Sequence, residues 1–295
     1  MVCHQRSYGV GTKIDRQIMR LAKSIYILIF LLPMFCIAQN VKVMTYNIKY
    51  DNVNDTINNW NDRKETLVEL IDHYGASFVG TQEVLQRQLA YIDSSLTGFS
   101  YIGVGRDDGK EKGEYSPIHY DSIRFKVLEN NTFWLSEKPD QISVGWDAAM
   151  ERICTYGLFE EKATGKKLYV FNTHFDHIGK VAREKSVELI TRKIEAINTD
   201  NHPVVLMGDL NLTPDTEAIR FIQSKLSDGK AISQKTFYGP TGTFNGFNQH
   251  MKLNRRIDYI FLKGFGVKYY VHIDDRMENN KFISDHLPVL TTLEW

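Results

Sequence analysis

Short apolar runs that end in a polar residue recur along this chain and alternate with segments of helical periodicity. The run VVLMGD ends at Asp209, FVGTQE ends at Glu83, and LYVFNTH ends at His174. Apolar runs of this length are typical of buried strands. The amphipathic segment 180–197, between two of these runs, is typical of a helix that packs on a sheet. Strands alternating with helices predict an α/β fold in which mixed sheets are covered by helices.

The first 38 residues differ in character from the rest of the chain. A short basic front is followed by an apolar run over 25–37 and then by a small residue, which is the layout of a secretory signal peptide. The run is shorter than the roughly 20 residues of a membrane-spanning helix. We predict a presequence over 1–38 with Met19 as the true start, and one domain over 39–295. The mature protein is expected to be exported to the periplasm or the extracellular space without stable membrane insertion; an uncleaved anchor is the alternative.

Removal of the presequence changes the charge balance. The full chain has 36 basic and 36 acidic residues; five of the basic and one of the acidic residues lie in 1–38, which leaves 31 against 35. A protein that binds duplex nucleic acid without selectivity usually has a basic excess, and the mature chain has none. Cys154 is the only cysteine after the presequence, so an intrachain disulfide is excluded and stability must come from the core.

Polar side chains collect at the ends of the apolar runs. Strand ends in α/β sheets commonly build binding sites along one edge, so we expect these side chains to lie close together. The set comprises Asn47, Glu83, His174, Asp209, Asn211, Asp258, Asp285 and His286. Each one alone has an ordinary explanation as a turn, capping or packed residue. Together, the set offers mainly oxygen atoms as metal ligands, with only two histidines and no clustered cysteines, which argues against a structural zinc site. Such a set favours Mg²⁺ or Mn²⁺, which would share these ligands with a substrate phosphate.

The order of the motifs resembles that of a known superfamily. YNI, QEV, NTHFDH, GDLN, RIDYIF and SDHLPV follow one another as in the endonuclease/exonuclease/phosphatase superfamily, which includes DNase I, neutral sphingomyelinases, inositol polyphosphate 5-phosphatases and carbon-catabolite-repressor-type deadenylases. The chain looks closest to the bacterial branch allied with the deadenylases. The resemblance implies a four-layer α/β/β/α sandwich, with two mixed β-sheets flanked by helices, and hydrolysis of phosphoesters with a divalent metal.

The resemblance also implies a metal site and a pair of residues that position the reacting groups. Glu83 matches the metal-binding glutamate, Asn47 the asparagine beside it, and Asp285 an aspartate near the metal. Asp209 and Asn211 match the pair that orients the attacking water and the phosphate. Phosphoester hydrolysis places charge on the phosphoryl and leaving oxygens, so its catalysis is mostly positioning and electrostatic stabilisation.

Two histidines complete the catalytic set that the resemblance implies. His174 is similar to the histidine that hydrogen-bonds the phosphoryl oxygens, and His286 to the second catalytic histidine, whose imidazole is fixed by Asp258. A carboxylate in that position sets the tautomer of a histidine and stabilises its cation.

Three further side chains are candidates for substrate binding. Arg106 and Tyr115 lie in a glycine-rich, charged loop over 103–120, and Arg152 precedes a strand-like run. They are predicted to contact the phosphate or the sugar of a substrate. A solvated loop and a structural ion pair are the alternatives.

The sequence as a whole predicts an exported, divalent-metal-dependent phosphoesterase that hydrolyses a phosphodiester or phosphomonoester by in-line attack of water. A phosphorylated small molecule is the favoured substrate, because it needs neither a basic groove nor an exposed apolar hairpin. A nucleic acid, as in a secreted nuclease, and a lipid headgroup, as in a sphingomyelinase-like enzyme, stay open. A catalytically inactive binding module of the same fold is the alternative outside the enzymes. The sequence indicates no protein partner.

Overall fold

Two six-stranded β-sheets pack face to face in a computed structural model that describes residues 1–3 and 40–295. Apart from its first three residues, the predicted presequence lies outside the described residues. Residues Asn40–Trp295 form one compact unit. Among the described residues, no helix has the length and apolar character needed to cross a membrane.

The first sheet holds both ends of the described domain. It contains β1 (Val41–Asn47), β2 (Phe78–Gln82), β3 (Phe99–Ile102), β4 (Ile118–Asp121), β11 (Gly266–His272) and β12 (Val289–Glu294). Their spatial order is β11–β12–β1–β2–β4–β3. β1 and β2 run parallel, and each other neighbouring pair is antiparallel, so the sheet is mixed as predicted.

The second sheet repeats this pattern. It contains β5 (Phe125–Trp134), β6 (Ile153–Glu161), β7 (Lys167–His174), β8 (Val204–Asp209), β9 (Ser227–Asp228) and β10 (Asp258–Lys263), in the spatial order β5–β6–β7–β8–β10–β9. Its central pair, β7 and β8, is parallel, and the other pairs are antiparallel.

Within residues 40–295, four helices connect and cover the strands. They are α1 (Trp60–Tyr74), α2 (Gln86–Ser95), α3 (Lys180–Ile197) and α4 (Glu217–Gln223). α1 joins β1 to β2 and α3 joins β7 to β8, which are the crossover connections that parallel neighbours require. The side chain of Asn59 caps α1 by accepting a hydrogen bond from the Asp62 amide, and Gly75 ends it in a left-handed conformation.

The side chains of β1 pack into two different hydrophobic cores, one on each face of the first sheet. Val43 packs between the two sheets, whereas its neighbour Met44 packs towards α1 and α2, because successive side chains of a strand point to opposite faces. A separate cluster joins α3 and α4 to the second sheet, for example through Ile190 and Phe171. The three clusters give the four layers α/β/β/α, which confirms the predicted fold class.

Strand register brings the polar strand ends to one level. His174 lies opposite Asp209, and Asp209 lies opposite Asp258, across three adjacent strands of the second sheet. In the first sheet Asn47 lies opposite the last residue of β2, so that Glu83 follows at the same edge. The fold therefore gathers groups that are more than 200 residues apart in sequence.

Candidate active site

Asp209 lies at the centre of this polar group and is 1% exposed. Its Oδ2 accepts a hydrogen bond from Asn47 Nδ2 at 3.1 Å and lies 3.5 Å from His174 Nε2 and 3.7 Å from His286 Nε2. Burial, together with the nearby carboxylate of Asp258, raises the pKa of Asp209 to about 7. A carboxylate with that pKa can exchange a proton with water near neutral pH.

The backbone turns sharply directly after Asp209. The Asn211 amide donates to Asp209 Oδ1 at 3.0 Å, and Asn211 Nδ2 donates to the carbonyl of Phe175 at 3.2 Å. Asn211 has a φ of 48°, and Glu83, directly after β2, has a φ of 60°. Residues other than glycine seldom adopt this left-handed region, and such backbone strain is commonly found at functional sites.

His286 and Asp258 form a buried pair. His286 Nδ1 donates to Asp258 Oδ2 at 2.9 Å, and the ring of Phe244 packs edge-on against the imidazole at 5.1 Å between centroids. Burial alone would lower the pKa of His286, but the carboxylates of Asp258 and Asp209 outweigh it and raise the pKa to about 10. His286 is therefore an imidazolium at neutral pH, with its Nε2 directed towards Asp209.

His174 has the opposite electrostatic environment. Arg152 Nη1 donates to His174 Nδ1 at 3.2 Å, and the same guanidinium contacts Asp176 Oδ1 at 3.3 Å. Burial, together with the charge of Arg152, holds the pKa of His174 well below its usual range. Because an arginine can only donate, Nδ1 is the acceptor, and the ring proton of the neutral His174 lies on Nε2, facing Asp209.

Carboxylate side chains whose oxygen atoms could bind a metal lie beside these two histidines. Glu83 Oε1 accepts from Asn47 Nδ2 at 3.0 Å, and Glu83 Oε2 accepts from the Tyr50 amide at 3.1 Å. The ammonium nitrogen of Lys49 lies 3.4 Å from Glu83 Oε2 and 3.5 Å from Asp285 Oδ2. Burial would raise the pKa of Glu83, but Lys49 and the two hydrogen bonds lower it, so this carboxylate is ionised.

Two groups of side chains in this region suit a cation. Glu83 and Asp285 already converge on one positive charge, and their carboxylate oxygens suit a hard divalent ion such as Mg²⁺. Asp209, Asp258 and His286 also have ligand atoms within 4.8 Å of one another. In that second group the His286 imidazolium already balances the carboxylate charge. The residues of the first group therefore fit the predicted metal better.

These side chains line one polar cleft of about 590 Å³. Its lining residues are Lys49, Tyr50, Glu83, Arg106, Glu114, Met150, Arg152, His174, His177, Asp209, Asn211, Phe244, Arg255, Ile257, Asp285 and His286. Arg106 is held by two parallel hydrogen bonds to Glu114 at 2.9 and 3.1 Å. Arg255 is exposed, lies over the ring of Phe244 at 5.2 Å, and has no acidic partner within the described part of the chain.

The structure brings almost all of the predicted site residues together. Asn47 and Asp258 lie directly behind the cleft, where they hydrogen-bond to residues that line it. Tyr115 is the exception and corrects the sequence-based assignment. Its side chain is 3% exposed, packs in the core beneath α1 and α2, and donates its hydroxyl hydrogen to Gln86 Oε1 at 2.6 Å. Tyr115 is therefore a packing residue and does not reach the cleft.

Sequence reasoning missed several residues of the cleft. Lys49 and Glu114 both balance charges at the site. The carboxylate partners of Lys49 are distant in sequence, whereas Glu114 pairs with Arg106 of its own loop. Phe244 and Arg255 belong to the irregular segment between β9 and β10, where no periodicity gave a signal. The one available hint for Lys49 was its position two residues after Asn47.

Comparisons with known proteins identify relatives in sequence and fold. A protein from Bacteroides vulgatus, solved as an endonuclease/exonuclease/phosphatase, is 39% identical, with a TM-score of 0.82 over 86% of this chain and 98% of that one. The mannosyl-6-phosphatase of Bacteroides thetaiotaomicron is 37% identical, with a TM-score of 0.83 over 86% of this chain and all of that one. The uncharacterized protein L388 of Acanthamoeba polyphaga mimivirus is 26% identical over 254 residues, which cover 80% of this chain and 92% of that protein.

The family model of the endonuclease/exonuclease/phosphatase family matches residues 44–286, which include every polar residue of the site described above. The two solved Bacteroides proteins have the same sandwich fold over nearly their full lengths. The chain therefore belongs to the endonuclease/exonuclease/phosphatase family of phosphoric ester hydrolases.

Proposed function

We propose that this protein is a divalent-metal-dependent phosphatase that acts on a small phosphorylated sugar or a related alcohol. The observation that carries the proposal is the position of Asp209, a buried carboxylate with a pKa of about 7 that faces both His174 and His286 in a polar cleft. The match of 37% identity to a mannosyl-6-phosphatase over that protein's whole length supports a sugar phosphate as substrate.

Each group of the site has a part in phosphoester hydrolysis that follows from its charge. Asp209 would accept a proton from the attacking water. The neutral His174, with its proton on Nε2, would donate a hydrogen bond to a phosphoryl oxygen. The His286 imidazolium, held by Asp258, would stabilise the charge that develops in the transition state.

Glu83 and Asp285 would hold the metal, with Asn47 orienting Glu83 through its amide. A divalent cation at this position would neutralise phosphate charge. Lys49, which bridges both carboxylates, would have to move towards the substrate.

The charge of the cleft favours a small substrate over a nucleic acid. Lys49, Arg106 and Arg152 are each paired with a carboxylate, so they do not form a free basic track along which a phosphate backbone would bind. The net charge of the chain after residue 38 is also slightly negative, with 31 basic against 35 acidic residues.

A substrate panel with Mg²⁺ or Mn²⁺ tests the proposal. We expect release of phosphate from mannose 6-phosphate and other hexose 6-phosphates, inhibition by EDTA, and loss of activity in Asp209→Ala. If bis-p-nitrophenyl phosphate, single-stranded DNA or sphingomyelin were hydrolysed faster than the sugar phosphates, the protein would be a phosphodiesterase rather than a phosphatase. Failure to hydrolyse any phosphoester would favour a binding module and contradict the proposal.

Export is the second part of the proposal and depends on the sequence of residues 19–38. A basic front, a short apolar run and a small residue are typical of a cleaved signal. N-terminal sequencing of the mature protein should give Gln39 as the first residue. Recovery of the intact chain from the cytoplasm would contradict export.

A further inference from the structure

The strand faces between the two sheets change character along their length. Side chains two residues apart lie on the same face of a strand. At one end this face is apolar and carries Val43, Phe78, Val170 and Val205. At the other end it carries Asn47, His174 and Asp209 of the active site. Between these two zones lies a polar layer formed by Thr45 of β1, Asn172 of β7 and the side-chain amide of Gln82, which lies opposite Asn47 on β2 and reaches back to Thr45.

The polar layer connects the two sheets by directed hydrogen bonds. Gln82 Nε2 donates to Asn172 Oδ1 at 2.7 Å and to Thr45 Oγ1 at 3.0 Å. Asn172 Nδ2 donates to the carbonyls of Thr81 at 2.9 Å and Pro117 at 2.8 Å. Asn172 belongs to the second sheet, and its partners lie in the first sheet or, for Pro117, directly before β4 of that sheet, so three hydrogen bonds of this one amide cross from sheet to sheet.

Stability alone does not explain why amides occupy this position. Gln82 and Asn172 are both fully buried, and Gln82 Oε1 has no hydrogen-bond partner among the described residues. A buried polar atom without a partner costs roughly 1–3 kcal/mol, a cost that an apolar pair of the same shape would avoid. Hydrogen bonds are directional, however, whereas apolar contacts tolerate sliding, so the amides can fix a position that apolar packing would leave loose.

The backbone of β2 is adapted to receive Asn172. A Cβ atom at Gly80 would lie 2.7 Å from Asn172 Cγ and 2.6 Å from Met207 Cε, which is closer than side chains pack. Glycine at this one position therefore allows the amide of Asn172 to reach the backbone of the first sheet.

The active site depends on the relative position of the sheets. Asn47 of the first sheet donates to Asp209 of the second. His286, which precedes β12 of the first sheet, donates to Asp258 of the second. A misplacement of about 1 Å between reacting groups can reduce the rate on the order of 100-fold.

We propose that Gln82 and Asn172 are positioning residues, which hold the two sheets in the one relative position at which the halves of the active site meet. Gln82 is adjacent to Glu83, and Asn172 lies two residues before His174, so the pair acts immediately below the reacting groups of both sheets. Neither residue touches the cleft. The proposal needs only phosphoester hydrolysis and does not depend on which ester is the substrate.

Two near-isosteric variants test the pair. Asn172→Leu removes all three cross-sheet hydrogen bonds. The milder Gln82→Met removes one of the three, the bond between the two amides, together with the hydrogen bonds that Gln82 makes to Thr45 and to the Gly80 carbonyl within the first sheet. We expect kcat to fall on the order of 10- to 100-fold in Asn172→Leu and less in Gln82→Met, with little change in KM. The double variant should be no slower than Asn172→Leu, because the two changes remove the same link.

Phe78→Leu is the matched control. Phe78 lies at the opposite end of β2 and also bridges the sheets, through its ring contact with Phe159 at 4.9 Å. We expect Phe78→Leu to lower the melting temperature while kcat stays within about twofold of the wild type, since its contact is apolar and distant from the strand ends. An equal loss of kcat in Phe78→Leu and in an amide variant of matched stability would overturn the proposal.

Crystal structures of the variants provide a test that does not depend on enzymatic activity. In Gln82→Met or Asn172→Leu, the distance of 3.1 Å between Asn47 Nδ2 and Asp209 Oδ2 should lengthen beyond hydrogen-bond range. An unchanged distance in both variants would overturn the proposal. A wild-type protein without phosphatase activity would count against the proposed function, and this distance would still decide the role of the pair.

Discussion

Lys49 places its ammonium nitrogen 3.4 Å from Glu83 Oε2, and the same nitrogen lies 3.5 Å from Asp285 Oδ2. One positive charge is therefore shared by two largely shielded carboxylates that are about 200 residues apart in the sequence. Burial, together with the charge of Glu83, raises the pKa of Asp285, which is a sign that one cation incompletely balances the pair. A divalent ion is a better complement to two carboxylates than one ammonium group.

Glu83→Gln should therefore weaken metal binding. We expect the Mg²⁺ concentration for half-maximal activity to rise by at least about 10- to 100-fold, because the variant removes one anionic ligand. Titration of activity and calorimetry with Mn²⁺ would measure the change. Glu65→Gln, on the exposed face of α1, is the control. If the Mg²⁺ requirement were unchanged in Glu83→Gln and raised in Asp258→Asn, the metal site would instead be assigned to Asp209, Asp258 and His286.

Asp258→Asn should reduce kcat on the order of 10²- to 10⁴-fold, because the carboxylate holds His286 in its charged form. Steady-state kinetics would measure the loss. Glu161→Gln is a matched control, since Glu161 is also buried and paired, with Arg124 at 2.7 Å, but does not line the cleft. We expect this control to lose stability and keep its kcat. A normal kcat in Asp258→Asn would contradict the role of the pair.

Arg255→Ala should impair substrate binding more than chemistry. The guanidinium faces the cleft without an acidic partner among the described residues, so it is free to bind hydroxyl or phosphoryl oxygens of the substrate. Loss of such a charge-assisted hydrogen bond costs roughly 1.5–3 kcal/mol, which corresponds to an increase in KM of about 10- to 100-fold. Lys252→Ala, an exposed change in the same segment, should leave KM unaltered. A fall in kcat alone would contradict this assignment.

Acid should destabilise the protein through His119. Burial lowers the pKa of His119 from 6.5 to about 4, whereas the unfolded chain keeps the ordinary value. Between these values the unfolded state binds the proton and the native state does not. The contribution to the free energy of unfolding is therefore complete above pH 6.5 and is lost as the pH falls to about 4, by on the order of 3 kcal/mol.

Urea unfolding of the wild type and of His119→Gln at pH 7 and pH 4.5 would measure this effect. We expect a smaller loss of stability between the two pH values in the variant. His272, whose pKa burial lowers to about 3, should supply part of the remaining loss. His73→Gln, on the exposed side of α1, is the control. An identical pH dependence in wild type and His119→Gln would contradict the prediction.

Regular elements could be predicted because their apolar patterns are local. The helix over 180–197 was predicted with the bounds that the structure has, and the strand that ends at Asp209 was predicted from its apolar run. α1 begins at Trp60, because the side chain of Asn59 provides the cap. Most residues of the site could then be predicted from the polar residues at the strand ends, since strand register brings these ends to one edge.

Irregular segments were harder to interpret because their contacts are long-range. Tyr115 follows a charged loop and was expected in the cleft, yet it pairs with Val84 and points into the core. Arg152 is held by Asp176 and by His174, and these contacts, which join residues near the ends of β6 and β7, cannot be read from spacing. The internal roles of Gln82 and Asn172 were also hidden, because a buried amide and an exposed one look the same in a sequence.

The left-handed backbone conformation of Glu83 and Asn211 limits how far the thermal stability of this protein can be raised without loss of activity. Each of these residues would be relaxed by glycine, which is at no disadvantage in this region. Such a substitution would remove the side chain on which turnover depends. Heat resistance and catalytic speed therefore compete at the same two positions, and selection for one alone would be expected to erode the other.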